Sequence, residues 1–62
     1  METLQTVRMR RACETVADKL DAWAEAHHAA AMRTSDDEYA RLQQTIRDNY
    51  YRLSGVLRQA MA

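Results

Sequence analysis

Apolar side chains recur at alternating steps of four and three along most of this chain. Met9, Cys13, Val16, Leu20, Trp23, His27 and Ala30 form one series, flanked by Ala12, Ala17, Ala24 and Ala31. Tyr39, Leu42, Ile46, Tyr50, Leu53 and Leu57, followed by Ala60 or Met61, form a second. Such spacing places each set on one side of an α-helix and matches a coiled-coil-like seam. Between the series lies Thr34-Ser35-Asp36-Asp37-Glu38, the only strong punctuation. Ser35 followed three residues later by Glu38 reads as a capping box, with Asp36, Asp37 and Glu38 placed where the helix dipole favours negative charge. The pattern predicts an all-α fold in which residues 1–62 form one helical-hairpin domain. Helix 1 is expected at about 3–33, helix 2 at about 36–60, and the short turn makes them antiparallel neighbours. Gly55 lies opposite the second stripe, so helix 2 is expected to run past it at a cost of about 1 kcal/mol relative to alanine.

Composition supports the helices and adds a problem of size. Proline and phenylalanine are absent and there is one glycine, while Ala, Arg, Leu, Gln, Glu and Met are abundant, all good helix formers. A chain of 62 residues buries only about 60% of its unfolded surface and is marginal alone. The single cysteine, Cys13, allows no internal disulfide, and no Cys/His group has zinc spacing. Two helices side by side cannot enclose a core. The expectation is therefore a homodimer, an antiparallel four-helix bundle in which one interface is used twice.

Charge gives that dimer a direction. Nine basic and nine acidic residues cancel overall, so no wholesale preference for nucleic acid or anionic lipid is implied. Along the chain they do not cancel. Residues 1–13 and 50–62 hold Arg8, Arg10, Arg11, Arg52 and Arg58 against Glu2, a balance of +4, and residues 14–49 hold the complementary −4. Two hairpins stacked loop to open end bring opposite charges together. Apolar burial drives the association and charge selects its orientation.

The chemistry-bearing residues have bland readings that suit them better. His27 and His28 point about 100° apart on a helix and cannot share a metal as i, i+4 histidines can. His27 reads as a structural histidine on the stripe, and His28 as facing outward. Cys13 and His27 are separated by about 21 Å of helix rise, so they form no nucleophilic pair within one chain. No catalytic residue, metal site or cofactor is expected, and a narrow bundle offers little concave pocket for catalysis.

A surface patch remains. Leu4 and Val7 lie off the first stripe and Tyr51 off the second, all assigned to the open end among Arg8, Arg11 and Arg52. Apolar and tyrosine side chains rimmed by arginine have the composition of a protein-binding site. Met32 is also off-stripe and is expected to pack under the loop. The function expected is a small non-enzymatic protein-binding regulator, an inhibitor, adaptor or anti-activator acting as a helical homodimer. Short helical chains of this kind are common among phage-encoded antagonists of host systems. In length and helical periodicity the whole chain is similar to the Rop-type plasmid RNA-binding proteins, two-helix hairpins that dimerise antiparallel. That resemblance implies an RNA-binding alternative; no local run of residues carries RNA contacts over. A subunit role in a larger helical assembly is a further alternative. No apolar run reaches the roughly 20 residues of a membrane span, and a cytoplasmic location is expected.

Overall fold

The computed structural model describes residues 3–61. It holds two helices, α1 (Leu4–Arg33) and α2 (Asp37–Met61), packed on each other as a hairpin. Pairs such as Asp18 with Arg58 and His28 with Arg47 show the antiparallel sense. The Cα atoms fill an envelope of 53 × 14 × 10 Å, one helix thick in its smallest dimension. No third element closes the core among the described residues. Glu2, counted in the charge balance above, lies outside them.

Local chemistry sets the helix ends. Thr3 caps α1 from an extended backbone, its Oγ1 accepting from the Thr6 N–H at 3.1 Å. At the turn, the expected Ser35–Glu38 capping box is not what forms. Thr34 Oγ1 accepts from the Asp36 N–H at 3.1 Å, and Asp36 Oδ1 accepts from the Tyr39 N–H at 3.1 Å. The Asp36 carbonyl accepts from the Ala40 N–H at 2.9 Å. Asp36 is thus the N-cap, one residue later than the serine. The reason is that Thr34 already ends α1 in extended conformation and turns the chain so that the next acceptor in line is a carboxylate. A charged acceptor at the positive end of a helix outcompetes a hydroxyl. Asp37 and Glu38 occupy the first turn of α2 as expected. Helix α2 continues through Gly55, around which an added Cβ would meet nothing within 4 Å.

The seam between the helices is made of small and polar side chains. Ala17 and Ala24 are fully buried, Leu20 and Ala31 nearly so, and they face Gln43 and Ser54 on α2. Half-buried Cys13, His27, Ile46, Tyr50 and Leu57 complete it. The alanines read from the sequence as flanks are therefore the contact row. Met9, Val16, Trp23, Tyr39, Leu42 and Leu53, expected at the centre of the stripes, are exposed in the hairpin. Two helices joined by so short a turn approach closest where side chains are small, and bulky residues are displaced to the edge of the groove. Met32, expected under the loop, is 71% exposed.

Candidate interaction surface

The seam has two long flanks. On one of them stand Met9, Val16 and Trp23 of α1 and Tyr39, Leu42 and Leu53 of α2. Trp23 is 51% and Leu42 56% exposed. Tyr50 anchors this side. Its ring meets Trp23 with centroids 5.8 Å apart at a tilt of 57°, and it stacks on His27 at 5.5 Å and 26°. Trp23 is thereby held in place with half of its surface free, an arrangement that suits an anchor for a partner. Toward the open end the face deepens into a hollow of about 300 Å³ whose apolar lining is Met9, Cys13, Leu57, Ala60 and Met61.

The opposite flank is polar and crosslinked. Arg58 bridges the helices, with Nη1 at 2.8 Å from Asp21 Oδ2 and Nη2 at 2.9 Å from Asp18 Oδ1, and it also donates to the Ser54 hydroxyl. Tyr51 donates its hydroxyl to Glu25. Arg47 donates to His28 Nδ1 at 2.9 Å and pairs with Asp48 at 2.9 Å. Hydrogen bonds from Ser54 and Arg58, together with the Arg58 charge, hold the Asp21 carboxyl below its ordinary 3.8. The hydrogen bond to Glu25, with burial and the carboxylate charge, raises the Tyr51 phenol above its ordinary 10.0. The Asp21 hydrogen bond raises the Arg58 guanidinium in turn.

The two histidines divide between these environments. Gln43 Oε1 can only accept, so His27 donates from Nδ1 across the seam at 2.5 Å. A guanidinium can only donate, so His28 presents an unprotonated Nδ1 to Arg47. His28, expected to face outward, is half-buried on the polar flank. Among the described residues, no three of His, Cys, Asp and Glu stand together as a metal site would need.

The residues assigned to one open-end patch are not brought together. Leu4, Val7, Arg8 and Arg11 belong to the first turns of α1, whose start projects past the last described turn of α2. Tyr51 stands beside Glu25, about 27 Å along α1 from Val7 at 1.5 Å per residue. Arg52 is at a similar level and donates to Asn49 Oδ1 at 3.3 Å. Chain position relative to the termini suggested proximity; the register of the hairpin, offset so that Arg58 meets Asp18, removes it. The expected charge split is narrowed, because Arg58 lies against Asp18 and Asp21 and not at the open end. Residues 3–13 carry three arginines and no acid, whereas Asp36, Asp37 and Glu38 crowd the loop end. What sequence reasoning missed is the sidedness of the apolar residues. Its signal was present as two parallel rows on α1, a large row of Met9, Val16 and Trp23 and a small row of Ala17, Ala24 and Ala31.

No helix is long and apolar enough to cross a membrane among the described residues. Comparison with protein-family models, curated proteins and solved structures finds no match for this chain.

Proposed function

We propose that this chain is a non-enzymatic interaction protein, a small regulator that works as a helical homodimer and binds another protein. The observation carrying this reading is the row of large apolar side chains left uncovered along one flank while the other flank is closed by ion pairs and hydrogen bonds. Large apolar patches of this kind on small proteins mark association sites. Covering the row with a second hairpin produces a four-helix bundle and supplies the core that one hairpin lacks. The projecting start of α1, with Leu4, Val7, Arg8 and Arg11, is the surface assigned to the regulated protein. Tyr51 stands apart from that surface on the polar flank beside Glu25, and Arg52 contacts only Asn49 of its own helix among the described residues.

Size-exclusion chromatography with light scattering tests the first step, and a stable dimer at micromolar concentration is the expected result. A poorly folded monomer would instead point to a subunit of a larger helical assembly. The Rop-type alternative rests on the arginines of residues 3–13. It predicts retention on heparin that falls steeply with salt, and the regulator reading predicts little retention because each basic end lies beside acidic residues of the second copy.

A further inference from the structure

The apolar face is sided along its length as well as across it. Met9 and the hollow it lines mark the open end, and the exposed Tyr39 and Leu42 stand at the loop end. Trp23 and Leu53 stand midway, about 21 Å along the helix from Met9. Arg10 lines the hollow and shares the basic first turns of α1 with Arg8 and Arg11, while at the loop end Asp36, Asp37 and Glu38 outnumber Arg33 and Arg41. Each end of the face therefore complements the other end in charge. Neither end complements itself.

Resting on the homodimer reading, we propose that two copies pair face to face about a two-fold axis crossing the hairpin at Trp23 and Leu53, with the loops at opposite ends. About this axis α1 lies on the second copy's α1 and α2 on its α2. Trp23 and Leu53 approach their own counterparts. Leu42 of each copy arrives at the level of the other's hollow between Met9, Cys13 and Met61. The basic start of each α1 comes beside the acidic start of the other copy's α2, a pairing that favours this orientation. With the loops at the same end, the three arginines at the start of each α1 would face their like, the net-negative loop ends would face each other, and both hollows would lie together.

Disulfide trapping tests the axis, because a residue can link to its own copy only where the two lie within about 7 Å between Cα atoms. In a Cys13→Ser background, Leu53→Cys and Met9→Cys are oxidised separately, and the mass of each is measured by sedimentation before oxidation. Both positions are exposed in the hairpin, so neither change removes a seam contact. The expected result is a covalent dimer from Leu53→Cys and none from Met9→Cys, whose copies lie about 42 Å apart by helix rise. A non-covalent dimer in which the two variants link equally, or neither links, or only Met9→Cys links, overturns the axis while leaving self-association intact. A monomer in the Cys13→Ser parent and in the unaltered chain overturns the homodimer reading itself.

Discussion

The two flanks of the α1–α2 seam are built from opposite materials, although both run along the same pair of helices. On the polar flank, Asp18, Asp21, Glu25 and His28 each find a partner on α2. Those contacts are complete within one chain. On the apolar flank, Met9, Val16, Trp23, Tyr39, Leu42 and Leu53 remain exposed, Trp23 even though its ring rests on Tyr50. Exposed ion pairs contribute only about 0–1 kcal/mol each, whereas burying a large apolar side chain contributes about 1.5–3 kcal/mol. The flank that looks finished therefore holds the hairpin in register, and the flank that looks unfinished holds most of the free energy still available.

The seam between the flanks should be the most sensitive to substitution. Ala24 is fully buried against α2, so Ala24→Leu forces the helices apart and is expected to cost about 1–3 kcal/mol, read from chemical denaturation. A variant as stable as the parent would show that the small row is not the contact row. Gly55→Ala should move stability the other way, raising it by about 1 kcal/mol, because the site is helical and open. Arg58→Ala removes the two ion pairs that link the helices on the polar flank and should cost no more than about 1 kcal/mol for partners this exposed. A loss comparable to that of Ala24→Leu would reverse the ranking of seam and flank.

The polar flank also carries the pH dependence. Asp21 has a lowered folded-state value, so the stability it contributes is present above about 3.9 and is lost as pH falls through the folded value. Tyr51 has a raised value, so its contribution is present below about 10 and is lost as pH rises through the folded value. Denaturation midpoints should accordingly fall at the acid and alkaline extremes. Tyr51→Phe should remove the alkaline part and leave the acid part unchanged.

The helices, their boundaries to within a residue or so and the passage through Gly55 were legible in the sequence, since period and propensity are local properties. The cap was displaced by one residue because Thr34, Ser35 and Asp36 are all competent acceptors, and the choice depends on how the chain leaves α1. Which row of α1 meets α2 was not legible. The large and small rows have the same period and lie side by side, so periodicity alone cannot assign one to the sister helix and the other to a separate surface. Tyr51 was misplaced for a related reason: the register offset between the helices, which puts it beside Glu25, is set by seam packing and not by distance from the chain ends.

Sedimentation equilibrium of the unaltered chain beside Leu42→Asp and Tyr51→Ala tests the sidedness of the hairpin most directly. The unaltered chain and Tyr51→Ala should sediment as dimers of a 7.2 kDa chain. Leu42→Asp, which places a charge on the apolar flank, should sediment as a folded monomer. Dissociation by Tyr51→Ala with Leu42→Asp still dimeric would contradict the account.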